Sequence, residues 1–522
     1  MFFLPCLDES LASFSTFIFF ISLFVLLLIP KLKSKTKKIS LNLPPSPPKL
    51  PLIGNLHQLN HHPHLCFRRL SHKYGPIFLL QLGQIPTLII SSPKIAKEAF
   101  KTHDLSFSTR PFLFSAQHIF YNCTEIAFSP YGSYWRQIRK ICVLELLSTK
   151  RVQSFAHIRQ QEVARLVNRI SQSNNLVDLS NLLALYGNDV LCRTALGREF
   201  SAGGEYHLHG IQELLEECQI LLGGFCFGDL FPSLSFLSTL SGMKSRLVRT
   251  FKRFDKLIDQ VIAEHLSPER EKLGESKDLV DVLLDIQKNG SDDEFPLTMD
   301  NVKGIILGQT ESACALTFVT STKPFIVLDW GMTELITHPK AMERAQNEIR
   351  SIVGDRRVVS ESDILEMPYL KAVVKEVLRL HPPAPVSLPR ETMEDVRIEG
   401  HDIPAKTRVF VNVWATGRDP ECWKDPESFE PERFMESEVD YRGLDFEFIP
   451  FGVGRRICPG ITMGIVMIEL ALAQILHSFD WELPSGIEAK DLDMTEVFGV
   501  TMHRKAHLEV VAKPSFGSSI SN

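Results

Sequence analysis

The stretch "FEFIPFGVGRRICPG", Phe446 to Gly460, places one cysteine beside two arginines, after two spaced glycines and before Pro-Gly. A buried structural cysteine has no need of such neighbours, whereas a thiolate that serves as a ligand does. Pro459 has no N–H and a φ suited to the first turn of a helix, and an apolar helical run, "GITMGIVMIELALAQILHSF", begins at the next residue. Cys458 is therefore expected at a helix N-terminus, where free N–H groups and the dipole stabilise an anion. Gly452 and Gly454 permit a tight loop, and Gly460 lets the backbone approach something bulky. Arg456 supplies a fork that fits a carboxylate.

A thiolate next to a carboxylate-binding arginine suits a haem iron with its propionates, and thiolate ligation favours O–O cleavage. Zinc would need three more ligands, and the nearest cysteine, Cys422, has no partner at zinc spacing. A cysteine nucleophile would need an orienting histidine, which the sequence leaves open. An ordinary buried cysteine leaves the glycines and Arg456 without a purpose.

The pattern F-x-x-G-x-R-x-C-x-G, formed by Phe451, Gly454, Arg456, Cys458 and Gly460, resembles the haem-binding loop of the cytochrome P-450 superfamily. The resemblance extends through "PPSPPKLPLIGNL", "YGPIFLLQLG" and "NVWATGRDPECWKDPESFEPERF", and the set is similar to the plant microsomal branch. It implies haem b with Cys458 as axial iron ligand, and Phe451 and Gly460 beside the cofactor. It also implies O2 and a small apolar substrate, with electrons from an NADPH-cytochrome reductase docked on the basic face around the loop. At the positions of Trp135, Arg139 and Arg390 the family contacts the haem propionates. Glu376 and Arg379, three apart in "KEVLRL", together with Arg433, resemble the family's structural Glu-Arg-Arg network rather than catalytic groups.

The chain has 522 residues, 44% of them hydrophobic, and a formal net charge of −5. That composition supports a large core, and nucleic acid is not an expected partner. The cysteines are scattered without a C-x-x-C pair, as reduced thiols in a cytosol-like compartment would be. Residues 11–29 carry no charge, and as a helix they would span about 28 Å, close to the hydrocarbon thickness of a bilayer. Asp8 and Glu9 precede this run and "KLKSKTKK" follows it, which argues for a retained anchor over a cleaved signal peptide. The lysines should stay cytosolic. The expectation is a single-pass protein of the endoplasmic reticulum membrane with its catalytic domain on the cytosolic side.

Residues 1–30 then form the anchor, 31–50 a basic and proline-rich spacer, and 51–522 one large domain without repeats or further linkers. The period is helical in "SYWRQIRKICVLELLS" and "PKAMERAQNEIRSIV". Alternation suggests strands in residues 74–92, joined through Gly-Gln-Ile-Pro, again in 395–415, and in "HLEVVAKP" near the C-terminus. The fold class is mainly α with a minor β part.

The chain departs from the family at its centre. The family's long helix carries an acid–alcohol pair in A/G-G-x-D/E-T-T/S, which helps deliver protons to iron-bound dioxygen. Here "GQTESACALTFVTSTKPFIV" (308–327) is longer than the family spacing, and Pro324 interrupts the helical period. Glu311, Ser312 and Thr322 are the weak candidates that remain for the relay. Either a misplaced exon boundary produced the stretch or proton delivery is altered. Two alternatives to a monooxygenase follow: a haem-thiolate isomerase or dehydratase that needs no reductase, or an inactive mis-spliced product. Phe107, Phe112, Phe114, Phe120 and Phe128 sit in the loop that covers the distal haem face in the family. Aromatic lining and plain core packing both account for them. The apolar stretch 223–237 is a candidate membrane-dipping entry route.

Overall fold

The computed structural model describes residues 41–173, 176–197, 208–223, 226–268, 277–289, 295–312, 322–497 and 499–515. The chain divides into two compact units, Met1–Leu43 and Pro44–Asn522. The expected anchor and the lysine run after it lie outside the described residues.

In chain order, the elements that position the site are strands β1 (Ile77–Leu82) and β2 (Ile85–Ile90), then helices α1 (Ser133–Ile141), α2 (Leu179–Leu196), α3 (Met299–Ser312), α4 (Thr322–Thr337) and α5 (Pro368–Leu380). Strands β3 (Arg390–Glu391) and β4 (Arg408–Val411) follow, and then helix α6 (Ile461–Ser478). The body is mainly helical, as the periodicity implies. Helix α6 is apolar on every face and buried almost throughout, the pattern of a core helix. Among the described residues it is the one helix long and apolar enough to cross a membrane, but 83% of it is buried inside the body. It packs against α4, α5, Ala156–Gln172 and Pro339–Val353.

The main sheet runs in the order β1-β2-β4-β3, with β2 and β4 parallel and the other pairs antiparallel. Leu82 pairs with Ile85, so the hairpin turn is Gly83-Gln84 alone. The four-residue turn expected from the sequence is too long. Pro86 joins the strand because the pairing of β2 with β4 begins only at Thr87, where its missing N–H no longer matters. The C-terminal strand Glu509–Pro514 pairs with Val177–Asp178 and Phe479–Glu482.

One further local reading is corrected. The prolines from 44 to 48 do not stand off as a spacer: Leu79 N–H donates to Pro45 O at 2.8 Å, and Asn55 Nδ2 donates to Pro47 O and Pro48 O at 3.3 and 3.1 Å. An extended proline segment leaves its carbonyls free, and the body uses them. The helical stretch "SYWRQIRKICVLELLS" is α1 continued by a π turn, Cys142–Leu146. At the centre, α3 and α4 are separate helices. Pro324 is buried in the first turn of α4, where a proline does not break the hydrogen-bond ladder.

Candidate cofactor and substrate site

The cysteine loop is a tight structure with glycine where glycine is needed. Gly452 and Gly454 have φ of +73° and +63°, and a Cβ at Gly454 would lie 2.3 Å from Asp104 Oδ1. Gly454–Arg456 forms a single 3-10 turn, after which Cys458 N–H donates to Phe451 O at 3.0 Å. That bond turns the chain before helix α6 can start. Gly460 is the N-cap of α6, so Pro459 lies outside the helix and Cys458 precedes the cap by two residues. The expected placement of Cys458 at the helix terminus is corrected accordingly. Gly460 has φ −95° and ψ 16°, a conformation open to other residues. Positive charge reaches Cys458 from another direction. Arg139 on α1 donates from Nη2 to Ile457 O at 2.9 Å and interacts electrostatically with Cys458.

Cys458 lines a cavity with about 890 Å³ of empty volume. Phe451 and Gly464 share its wall with Pro324 and Val327 of α4, and three arginines, Arg110, Arg390 and Arg456, enter it. Arg456 donates from Nε to Ser108 O (2.7 Å), from Nη1 to Ile126 O (3.2 Å) and from Nη2 to Ser129 O (2.7 Å). Its guanidinium carbon stands 4.1 Å from the Trp135 ring centroid. Trp135 is 3% exposed and spends its own N–H on Ile126 O at 3.0 Å. It supports the arginine with its face. Arg390 donates from Nη2 to Val453 O at 2.6 Å. Its Nη1 lies 3.9 Å from Asp104 Oδ1 and has no hydrogen-bond acceptor among the described residues. Trp135 and Arg139 from one helix, Arg390 and Arg456, chosen from three stretches of the sequence, therefore come together.

Arg110 and Glu125 were not singled out in the sequence. Arg110 donates from Nη1 to Leu388 O and Pro389 O, both at 2.9 Å, and from Nε to Ala127 O at 2.8 Å. The buried Glu125 carboxylate accepts from the N–H groups of Ala127 and Phe128. The available signal for Arg110 was a charge inside the aromatic run "SFSTRPFLF".

Burial and mutual repulsion push Arg456 down to about 8 and Arg110 down to about 9, while burial pushes Arg390 down to about 10. A guanidinium holds its proton in proteins, so these shifts reflect the strain of clustered, desolvated positive charge. Burial likewise pushes Glu125 up to about 7, so the carboxylates near the three cations, Glu125 and Asp104 at 3.9 Å from Arg390, compensate them only in part. The orphaned Nη1 of Arg390 and the positive cluster fit a flat group that carries carboxylates, and Cys458 in the same wall fits its metal.

Glu376, Arg379 and Arg433 form the buried network expected of them. Arg379 donates from Nε and Nη2 to the two oxygens of Glu376, both at 2.7 Å. Arg433 Nε donates to Glu376 Oε1 at 3.0 Å.

The aromatic loop is mostly core. Phe107 packs into the cluster between the sheet and the cysteine loop, Phe120 and Phe128 stack at 5.8 Å, and Phe112 is 58% exposed. None of the five phenylalanines lines the cavity of Cys458. Glu311 and Ser312 end α3 and Thr322 opens α4, but the side chains of these relay candidates lie outside the described residues.

A sequence model of the cytochrome P450 family matches residues 44–508. Cytochrome P450 71AP13 of Prunus mume is 62% identical over 500 residues, 96% of each chain. Premnaspirodiene oxygenase of Hyoscyamus muticus is 44% identical over 96% of this chain and 97% of its own. A zebra fish cytochrome P450 solved with abiraterone superposes with a TM-score of 0.72 at 28% identity, covering 87% of this chain and 99% of that one. Members of this family bind haem with the iron held by a cysteine thiolate. The chain belongs to the cytochrome P450 family and is a monooxygenase.

Proposed function

We propose that the chain is a membrane-anchored plant monooxygenase that oxidises small apolar secondary metabolites, with electrons drawn from NADPH through a membrane-bound reductase. The observation that carries the reading is the meeting of Cys458, the orphaned Arg390 Nη1 and a buried arginine cluster in one cavity. In this reading Cys458 would hold the iron of haem b, and the guanidinium of Arg139 brings positive charge to bear on its sulfur. Arg390, Arg456 and Arg110 hold the propionates, Trp135 backs Arg456, and Phe451 and Gly460 flank the cofactor. Leu378, Val413 and Ile468 keep that wall apolar and exclude water. When bound, haem supplies the iron that activates O2 for insertion into a C–H bond of the substrate. The weak candidates for the proton relay are Glu311 and Ser312 at the end of α3 and Thr322 at the start of α4.

Residues 1–30 serve as the anchor in the endoplasmic reticulum membrane, with 31–43 leading into a cytosolic body. The charges around residues 11–29 support that orientation, and homologues of this plant type are usually membrane-bound. The secondary-metabolite assignment is supported by relatives named premnaspirodiene oxygenase and costunolide synthase.

The test is the carbon monoxide spectrum of reduced membranes that contain the protein. A far red-shifted Soret band is expected, and Cys458→Ser should abolish it together with NADPH-dependent turnover. A Soret band without that shift in the parent protein, or normal colour in the variant, would overturn the assignment. Product from a fatty-acid hydroperoxide without NADPH would instead favour an isomerase.

A further inference from the structure

A second cavity, with about 780 Å³ of empty volume, adjoins the first, and Ser387 and Leu388 line both. Its wall is largely apolar, with Phe67, Leu113, Phe128, Leu222 and Phe410. Two charged side chains interrupt that wall, Arg408 and Asp229. Alternation along β4 explains the first of them. Arg408 and Phe410 line the cavity, whereas Val409 and Val411 enter the core cluster beside the cysteine loop.

Arg408 is 6% exposed. Its Nη2 donates to the main-chain oxygen of Asp229 at 3.2 Å, but its Nε–H meets no acceptor among the described residues. A buried donor left without an acceptor is unfavourable, and a ligand that supplies one gains by doing so. The Asp229 carboxylate is already engaged: Oδ1 accepts from Phe114 N–H, and Oδ2 accepts from the Ser115 hydroxyl at 3.0 Å. Its charge acts on Arg408, as does that of Glu391, the register partner of Arg408 in the sheet. The positive charge is thus locally balanced, and the Nε–H is a fully buried donor left without an acceptor in a largely apolar wall. A carboxylate would bring excess negative charge beside Asp229, and a plain hydrocarbon would leave the donor unsatisfied.

We propose that Arg408 is a specificity-determining residue, donating from Nε to the carbonyl oxygen of a neutral apolar substrate, such as a ketone or lactone, seated in the second cavity. The proposal rests on the reading of the chain as an oxygenase of small apolar molecules. Binding alone tests it, so its failure is distinguishable from a failure of turnover.

The experiment is calorimetric titration of the haem-loaded protein with three probes of one skeleton: 2-decalone, decalin and decalin-2-carboxylic acid. The ketone should bind roughly tenfold tighter than either of the others. Arg408→Met should erase that preference, whereas Arg408→Gln, which keeps an N–H donor, should retain part of it. Equal affinities of the three probes for the parent protein would overturn the proposal without recourse to any variant. Tighter binding of the acid, or a ketone preference undiminished in Arg408→Met, would overturn it as well.

Discussion

Replacing Glu376 by Gln tests whether the buried charge network holds the body together. The carboxylate accepts from Arg379 Nε and Nη2, from Arg433 Nε at 3.0 Å and from Glu430 N–H at 2.8 Å. Glu376 is fully buried and Arg379 nearly so. The other donors of Arg379 are tied to Gly417 O, Pro426 O and Ser428 O, so its guanidinium cannot swing into water. An amide at this position keeps one acceptor, turns an NH2 toward the arginines and leaves Arg379 without a compensating charge, whereas Arg433 keeps Glu430 at 3.3 Å. Stranding buried charge in this way costs about 3–5 kcal/mol. For a body spanning Pro44–Asn522, an unfolding entropy of about 2.1 cal/mol/K per residue converts that cost to a Tm lower by about 3–5 °C. The assay is thermal unfolding followed by circular dichroism, with the Soret band read in parallel for haem retention. A Tm within about 1 °C of the parent, at equal haem content, would refute the reasoning. Exchanging all three residues for leucine or methionine should cost less than the single change, because no buried charge is then left alone.

Gly454→Ala places a methyl against Asp104 at a residue with φ of +63°, and should destabilise the loop by about 1–3 kcal/mol, read as a lower haem content after expression. Arg390→Met removes the guanidinium whose Nη1 has no acceptor among the described residues, and should speed haem transfer to apomyoglobin roughly tenfold or more; an unchanged rate would count against propionate binding there. Burial pushes the Glu469 carboxyl up to about 7 from its usual 4.5, so the native state holds that proton more tightly than the unfolded chain does. The associated stability is complete below pH 4.5 and is lost as pH rises through about 7. Glu469→Gln should therefore be the more stable protein above neutrality, by on the order of 3 kcal/mol, and denaturation curves of the two proteins that run parallel across that window would refute it.

The cysteine loop was legible because its constraints are local: positive φ at Gly452 and Gly454 and an arginine two residues before the cysteine can be read within fifteen letters of sequence. The cation that acts on the sulfur, Arg139, comes instead from α1. The entry to helix α6 was less legible. Proline predicts a first helical turn, but the bond from Cys458 N–H to Phe451 O delays the helix, and nothing in the local composition announces that bond. Arg110 and Glu125 were missed because their importance arises from contacts across the chain, with Leu388 and Pro389 in one case and with the arginine cluster in the other. The five phenylalanines of the 105–128 loop illustrate the opposite failure. Apolar side chains serve a core and a ligand equally well, and only their place in the fold separates the two uses: Phe107 packs in the core, whereas the likewise buried Phe128 lines the second cavity. Arg408 looked like an ordinary strand residue because pleat alternation sets its face, and the sequence does not say which face meets a cavity.

The grip of Arg456 on Ser108, Ile126 and Ser129 is made through main-chain oxygens alone. Every residue type offers that oxygen, so the attachment is indifferent to which side chains the tethered stretch carries but not to how many residues it contains. Specificity can drift there by point substitution while the metal-binding loop stays anchored. One inserted or deleted residue would shift the carbonyls out of reach, so the stretch should diversify in composition at constant length.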